Sequence, residues 1–91
     1  MQVHVEFFGV PRSRVGCANV VLEFDKQLIR LTDVWQALAD RFPQFATDCL
    51  ENGTLRPAYT ANLNGQRFVS NQETPILPDA SLLVMSTDAG G

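Results

Sequence analysis

The chain has 91 residues, of which 45% are hydrophobic and 19% charged, with a formal net charge of −3. This length supports one domain with a single core, and this composition excludes a disordered chain. The basic residues are scattered and include one lysine, so they form no patch for nucleic acid, and no long apolar run or leader predicts a membrane span or secretion. We therefore expect a cytoplasmic protein with neither nucleic-acid nor membrane partners.

Residues that could support metal or nucleophilic chemistry are few. Cys17 and Cys49 lie far apart and outside any Cys-x-x-Cys pair, so we expect unpaired thiols and neither a disulfide nor a metal site. His4 is the single histidine and falls inside the first predicted strand, where we do not expect a catalytic Cys-His or Ser-His couple. The sequence therefore predicts no metal and no bound cofactor.

The N-terminal residues predict a β-hairpin with a long loop. Residues 2–8 alternate, with two valines and Phe7 on one side, which is the period of a half-buried strand. Residues 11–16 interrupt this pattern with a proline, two arginines and a glycine, and residues 19–24 resume it. Two strands joined by a loop are the expected result.

The middle of the chain predicts one main helix, which Thr32 can cap and in which Asp33 favours the positive end of the helix dipole. Pro43 ends or kinks this helix, because proline cannot donate the next backbone hydrogen bond. We expect one further turn over residues 44–50. The apolar residues that recur on one helical face are Val34, Trp35, Ala37, Leu38, Ala39 and Phe42.

The C-terminal half predicts a second hairpin and a central strand. Alternation on both sides of Asn64-Gly65 is the pattern of a tight β-hairpin. The apolar run at residues 82–85 is typical of a central strand. The order ββαβββ predicts a two-layer α+β domain over residues 1–85, with a mixed sheet of four or five strands crossed by the main helix. Residues 86–91 are expected to form a flexible, unpaired tail.

Gly90 and Gly91 are the last residues of the sequence, and they make the tail the candidate reacting group. An α-carboxylate, with a pKa of about 3.5, is ionised at neutral pH and can attack an activated phosphate. Glycines lack a Cβ, so this end, with the small Ala89, can thread a narrow channel. The chain has no glycine motif for binding nucleotides, so a separate enzyme must provide the ATP for an acyl-adenylate. Sulfur would convert that adenylate to a thiocarboxylate, whereas a thiol and then an amine would yield an isopeptide.

The phase of the strands predicts a docking surface near the tail. Phe8 and Met85 follow inward-facing residues by one position, so both should point away from the helix. Phe68, in the second hairpin, joins them on this side. An exposed patch of these three side chains would hold a partner while the tip of the tail reacts. The alternative is that they pack beneath loops.

Several segments occur in the order of a known family. They are residues 3–8 with Arg12 and Val15-Gly16, the helix led by Thr32, residues 63–69 and 77–84, and the terminal Gly90-Gly91. Together they resemble the MoaD/ThiS sulfur carriers over most of the chain, and most of all the small subunit of molybdopterin synthase.

The resemblance implies a ubiquitin-like β-grasp fold and a protein cosubstrate that is not itself an enzyme. It implies that a MoeB/ThiF-type enzyme uses ATP to adenylate the terminal glycine, and that Gly91, preceded by Gly90, carries the thiocarboxylate. The large, MoaE-like subunit of molybdopterin synthase, or another sulfur-accepting enzyme, would then take the sulfur for molybdenum cofactor biosynthesis. The residues that it places at the partner interface are Phe8, Arg12, Phe68, Met85, Ser86, Thr87, Asp88 and Ala89.

Other functions remain open at this point. Many MoaD tails have a proline or a hydrophobic residue before the final glycines, and residues 86–89 depart from that pattern. The segment 43–57 is somewhat long, as in carriers for cysteine biosynthesis. The sulfur acceptor could therefore belong to molybdopterin, cysteine or thiamine synthesis. A ubiquitin-like modifier of target lysines is a second possibility, and a β-grasp binding module with an unreactive tail is a third. Asp88 predicts a basic or hydrogen-bonding group in the receiving channel.

Overall fold

The computed structural model describes residues 1–90, and the side chains of residues 1–88. The secondary structure of this part of the chain consists of one mixed sheet, two small two-stranded ladders and four helices. In chain order the elements are β1 (Gln2–Phe8), α1 (Val10–Val15), β2 (Asn19–Glu23), β3 (Ile29–Arg30), α2 (Leu31–Arg41), α3 (Pro43–Cys49), β4 (Leu50–Glu51), β5 (Thr54–Leu55), β6 (Tyr59–Leu63), β7 (Arg67–Val69), β8 (Pro75–Ile76), β9 (Ala80–Ser86) and α4 (Thr87–Gly90).

Five strands form the mixed sheet, in the order β2-β1-β9-β6-β7. β1 pairs antiparallel with β2 and parallel with β9, and β6 pairs antiparallel with both β9 and β7. The ladders β3-β8 and β4-β5 lie outside this sheet. The last strand of the sequence therefore occupies the centre of the sheet, as its continuous apolar run predicts.

One face of the sheet is buried against the helices. The alternation predicted in β1 is confirmed, because Val3, Val5 and Phe7 are at most 1% exposed while the residues between them are exposed. The ring of Phe7 makes edge contacts with the rings of Phe42 and Phe45, at centroid distances of 6.1 and 6.0 Å. The predicted two-layer α+β architecture, with a main helix packed across a mixed sheet, is thus observed.

α2 is the predicted main helix, but a different residue caps it. The backbone N–H of Arg30 donates to Oδ2 of Asp33 at 2.8 Å, which closes the first turn. The same carboxylate lies near the positive end of the helix dipole, as the sequence predicts. Thr32, the predicted cap, is instead the second residue of the helix. The cap prediction was wrong because an acidic side chain in the first turn can accept a hydrogen bond from the backbone N–H of the residue that precedes the helix.

Two shorter helices begin with proline near their N-termini. Pro43 starts α3 directly after α2, so the predicted end of the main helix and the further turn are both observed. Residues 11–16, predicted as a loop, instead form most of α1 and its C-terminal cap. Pro11 lies in the first turn of α1, and the N–H of Gly16, at φ 87°, donates to the carbonyl of Arg12 at 2.9 Å. The proline and the glycine that suggested a loop are the residues that begin and end this helix.

Candidate functional site

The predicted docking residues lie on the face of the sheet opposite the core, which we call the outer face. The strand register places Phe8 beside Met85, and Met85 beside Thr60. Residues paired across neighbouring strands point to the same side of a sheet, so all three belong to the outer face. The side chain of Phe8 is 52% exposed. Phe8 is therefore an exposed aromatic surface directly beside the strand that leads to the C-terminus.

Met85 points toward the outer face as predicted, but it is not an exposed anchor. It is only 9% exposed, although it lies outside the main core cluster. Its strand is central, so Phe8 and Thr60 stand on either side of it. A side chain with neighbours on both adjacent strands loses most of its accessible surface. The prediction of an exposed Met85 was therefore wrong. Alternation shows the face to which a side chain points, but not whether neighbouring side chains bury it.

Phe68 is the second exposed aromatic side chain of the outer face. It lies on β7 opposite Asn62 and is 59% exposed. Since β9 and β6 separate β1 from β7, the backbones of Phe8 and Phe68 are at least about 14 Å apart, at a strand spacing of about 4.8 Å. The two rings therefore do not form one contiguous patch.

A row of outward-facing residues crosses the outer face and ends at Phe68, the register partner of Asn62. Glu6, Leu83 and Asn62 are register partners on β1, β9 and β6. With His4 and Ser81, they line a depression of about 490 Å³. Oδ1 of Asn62 is buried and is one of two such side-chain atoms within the described residues that lack a hydrogen-bond partner. Polar residues at alternate strand positions predict exposure alone, so the sequence does not reveal this row.

The C-terminal segment leaves the sheet at the end of β9. The strand continues to Ser86, which pairs with Tyr59, one residue beyond the boundary predicted from the sequence. The backbone N–H and the Oγ1 hydroxyl of Thr87 both donate to the carbonyl oxygen of Ala58, at 2.9 and 3.2 Å. Two predicted tail residues are thus held against the sheet.

The remaining tail residues follow in a single helical turn. Asp88 is exposed on α4, and its carboxylate forms no ion pair with residues 1–90. Ala89 and Gly90 complete this turn, and Gly91, the predicted carrier of the reacting carboxylate, lies outside the described residues. A helix this short is marginal in water, so the turn can unwind at little cost when a partner requires an extended tail.

Gly9, which none of the sequence-based predictions named, shapes the place where β1 and β9 end. Its backbone has φ 71° and ψ −133°, a conformation that residues with a Cβ rarely adopt. A Cβ at Gly9 would lie 3.3 Å from Oγ of Ser86. The missing side chain therefore lets the start of α1 approach the exit of the C-terminal segment. A glycine directly after an alternating strand was the available signal.

Arg12 is exposed on α1, close to this exit. α1 packs beside both β9 and α3. The guanidinium of Arg14 lies 3.7 Å from the carboxylate of Asp48, whereas the Arg12 guanidinium has no acidic partner in the described part of the chain. Arg12 is therefore a cationic group available to a partner at the end of the domain from which the tail leaves.

Both thiols pack in or against the core, and the histidine lies on the opposite face of the sheet. Cys49 is buried, and this burial, together with a smaller effect of Asp48, raises the pKa of its thiol from 9.0 to about 11, so it is protonated at neutral pH. Cys17 is half-buried, and both cysteines are free. His4 is exposed on the outer face. Within residues 1–90, no three histidine, cysteine or acidic side chains are close enough to hold a metal ion, and no helix is long and apolar enough to cross a membrane.

Three solved structures share this fold over nearly the whole chain. SAMP1 from Haloferax volcanii is 16% identical, with a TM-score of 0.84 and full coverage of both chains. A protein described as molybdopterin converting factor, subunit 1, from Pyrococcus furiosus is 18% identical, with a TM-score of 0.76 over 94% of this chain and 97% of that one. A chain of the BexX/CysO complex from Amycolatopsis orientalis is 15% identical, with a TM-score of 0.71 over 98% and 99%.

These similarities concern the fold. No protein-family model and no curated protein sequence matches the chain. At identities below a quarter, the shared architecture does not establish a common function. The chain has the ubiquitin-like β-grasp fold that its resemblance to the MoaD/ThiS sulfur carriers implies.

Proposed function

We propose that the chain is a sulfur carrier whose terminal glycine is the reacting group. A MoeB/ThiF-type enzyme supplies ATP, the carboxylate of Gly91 attacks its α-phosphate, and pyrophosphate leaves. A sulfur nucleophile then attacks the acyl carbon and displaces AMP, which leaves a thiocarboxylate on Gly91. The MoaE-like large subunit of molybdopterin synthase accepts this sulfur in molybdenum cofactor biosynthesis. The chain acts as a protein cosubstrate, and its partners hold the catalytic groups.

The observation that carries the proposal is the position of β9. This central strand ends at Ser86, close to the exposed Phe8, and α4 follows it outside the sheet. Gly91 is the sixth residue after Met85, the register partner of Phe8, and an extended segment of this length reaches about 20 Å. A partner that grips the outer face at Phe8 can therefore receive the carboxylate in an active site up to that distance away.

Charge and local structure at the exit support the same arrangement. The carboxylates of Asp88 and Gly91 lie three residues apart in the sequence, so the receiving channel needs cationic or hydrogen-bonding groups. Arg12, on the carrier itself, can pair with an acidic residue at the mouth of that channel. α4 must unwind for the tail to enter, and its four residues make this step inexpensive.

A second candidate is a ubiquitin-like modifier, which the names of the similar structures favour. SAMP1 belongs to the small archaeal modifier proteins, whereas the Pyrococcus furiosus protein is named for molybdopterin conversion. The similar chain of a BexX/CysO complex keeps other sulfur acceptors open, among them those of cysteine and thiamine synthesis. All these functions begin with the same acyl-adenylate on Gly91. The carrier functions differ in the acceptor that takes sulfur from the thiocarboxylate, whereas a modifier passes its acyl group to a thiol and then to a lysine amine.

Intact-mass spectrometry tests the proposal. The chain is incubated with a MoeB/ThiF-type enzyme from the same genome, ATP and a sulfide-level sulfur donor, after its starting mass has shown that Gly91 carries a free carboxylate. We expect a mass increase equal to the exchange of one oxygen for sulfur, located on Gly91 by fragmentation. A variant that lacks Gly91 is the control. Sulfur incorporation by that variant would contradict the proposal.

The same mixtures distinguish the two candidates. A carrier transfers its sulfur to the precursor bound by the MoaE-like subunit and returns to its original mass. A modifier instead leaves Gly-Gly remnants on lysines of other proteins, detectable after trypsin digestion. Abundant remnants together with no sulfur gain on Gly91 would replace the carrier proposal with the modifier.

A further inference from the structure

Thr87 attaches the C-terminal segment to the sheet with two hydrogen bonds. Its backbone N–H donates to the carbonyl oxygen of Ala58 at 2.9 Å, and its Oγ1 hydroxyl donates to the same oxygen at 3.2 Å. The backbone bond extends the β6-β9 ladder by one step beyond the pair of Tyr59 with Ser86. The hydroxyl bond is additional to that ladder. A single carbonyl therefore accepts two bonds from the same residue.

The accepting carbonyl belongs to a turn that is itself fixed to the domain. Pro57, whose ring restricts φ, precedes Ala58. The N–H of Tyr59 donates to the carbonyl of Arg56 at 2.9 Å and closes the turn. The N–H of Arg56 donates in turn to the carbonyl of the buried Cys49, also at 2.9 Å. Hydrogen bonds thus connect the acceptor of Thr87 to the end of α3 and to the core.

The residues on either side of Thr87 differ in how they contact the domain. Ser86 pairs with Tyr59, and its Oγ lies 3.3 Å from the position that a Cβ on Gly9 would occupy. Asp88 is exposed and forms no ion pair with residues 1–90. The N–H of Asp88 lies in the first turn of α4, where a helix provides no acceptor. Within the described residues, Thr87 is therefore the last one with a hydrogen bond to the sheet.

This attachment limits the reach of the terminal carboxylate. Gly91 is the fourth residue after Thr87, and an extended segment of this length spans about 14 Å. If the attachment is lost, the segment that can move begins further back, at the end of β9, and the carboxylate samples a larger volume. A shorter segment has fewer conformations to lose when an active site fixes its end. Less entropy then opposes the reaction.

We propose that Thr87 is a positioning residue for the reaction at Gly91. Its two bonds to Ala58 fix the origin of the reactive tail, so that docking on the outer face delivers the carboxylate to the nucleotide site of the activating enzyme. The inference rests on the proposed function and deepens it. The resemblance to the carrier family implies that Thr87 contacts the partner, whereas both of its donors are engaged within the chain. α4 unwinds from Asp88 onward, and the bonds to Ala58 persist in the complex.

ATP–pyrophosphate exchange with the MoeB/ThiF-type enzyme, measured at varied concentrations of the carrier, tests this role. Thr87→Val keeps the size and the backbone N–H but loses the hydroxyl, so kcat should fall about threefold with KM unchanged. Thr87→Pro loses both donors, and kcat should fall about tenfold or more. Proline fits this position, because Thr87 is the first residue of α4 and Ser86 before it belongs to a strand.

Two further variants separate positioning from docking. Thr87→Ser keeps both donors, so it should stay within about twofold of the wild type in kcat and KM. Phe8→Ala removes docking area, so it should raise KM while kcat is retained. If the side chain of Thr87 instead contacts the partner, Thr87→Val should also raise KM. A rise in KM alone, or a wild-type kcat for Thr87→Pro, would overturn the inference.

Hydrogen–deuterium exchange in the free chain, followed by NMR, tests the attachment without any partner. Relative to its intrinsic rate, the Thr87 amide should exchange at least about tenfold more slowly than the Asp88 amide. Thr87→Val keeps the backbone bond and should keep most of this protection. Equal protection of the two amides would mean that the attachment does not form, and the inference would be wrong.

The two experiments distinguish failure of this inference from failure of the proposed function. If the wild-type chain supports pyrophosphate exchange and Thr87→Pro does so at the same rate, the carrier function stands and the positioning role does not. If the wild-type chain supports no pyrophosphate exchange although its Thr87 amide is protected, the proposed function fails, and the positioning role fails with it.

Discussion

Phe7 and Phe8 are adjacent in sequence, and they provide a sharp test of the division between core and docking face. They lie on opposite faces of β1, with Phe7 1% exposed and Phe8 52% exposed. The same truncation to alanine at the two positions should therefore have opposite consequences. Phe7→Ala should reduce stability, and Phe8→Ala should reduce partner binding.

The structure sets the size of each effect on stability. Phe7 is enclosed by Phe42 and Phe45, so its truncation leaves a cavity and should cost about 3–5 kcal/mol, a large part of the roughly 5–15 kcal/mol that stabilise a small domain. Phe8 is about half buried, so it loses about half of a full transfer term, roughly 1 kcal/mol. With a urea m-value of about 1.5 kcal/mol/M, the midpoint should fall by about 2–3 M for Phe7→Ala and by less than about 1 M for Phe8→Ala.

Binding to the activating enzyme should follow the reverse order. An aromatic anchor at an interface contributes about 2 kcal/mol or more, so Phe8→Ala should raise the dissociation constant about 30-fold. Phe7→Ala, measured at a temperature where it stays folded, should bind within a few-fold of wild type. Urea denaturation and isothermal titration calorimetry give both numbers. A Phe8→Ala variant that is as unstable as Phe7→Ala, or that binds normally, would refute the assignment of the two faces.

Three further predictions concern individual residues. The pKa of the Cys49 thiol is raised from 9.0 to about 11, so the unfolded chain loses this proton at lower pH than the folded chain. Between pH 9 and 11, the free energy of unfolding should therefore fall by on the order of 2 kcal/mol relative to that of Cys49→Ala. A constant difference between the two chains across that range would contradict this prediction. Gly9→Ala should destabilise the domain by at least about 1 kcal/mol in urea, because of the positive φ and the 3.3 Å approach to Ser86, and an unchanged midpoint would be the opposing result. Asp33→Ala should lower stability by about 1 kcal/mol through loss of the bond to the N–H of Arg30, whereas Asp40→Ala, also exposed on α2, should have a smaller effect.

The sequence predicts the sheet and the main helix well, because burial on one face places apolar residues at regular intervals in the sequence. Alternation in β1 and the continuous apolar run in β9 each follow from the position of the strand in the sheet. The residue that caps a helix is harder to predict from the sequence. The bond from Arg30 to Asp33 displaced the predicted cap at Thr32, because several polar residues near a helix start can satisfy the same backbone donor.

The site was predicted in part, and the missing features depend on contacts between distant segments. Phe8 and Phe68 are exposed as predicted, since alternation defines the face of each. The burial of Met85 depends on both neighbouring strands, which no local pattern encodes. The unpartnered Oδ1 of Asn62 is likewise visible only when the register brings it into the row with Glu6.

The reactivity of the terminal carboxylate is tested most directly by ATP–pyrophosphate exchange catalysed by the MoeB/ThiF-type enzyme. Exchange reports formation of the acyl-adenylate and is independent of the sulfur donor and the final acceptor. We predict that the full chain supports exchange and that a chain lacking Gly90 and Gly91 does not. Both should melt at the same temperature, because β9, the last strand, already ends at Ser86. Exchange at the wild-type rate with the truncated chain would contradict the role of the terminal glycine.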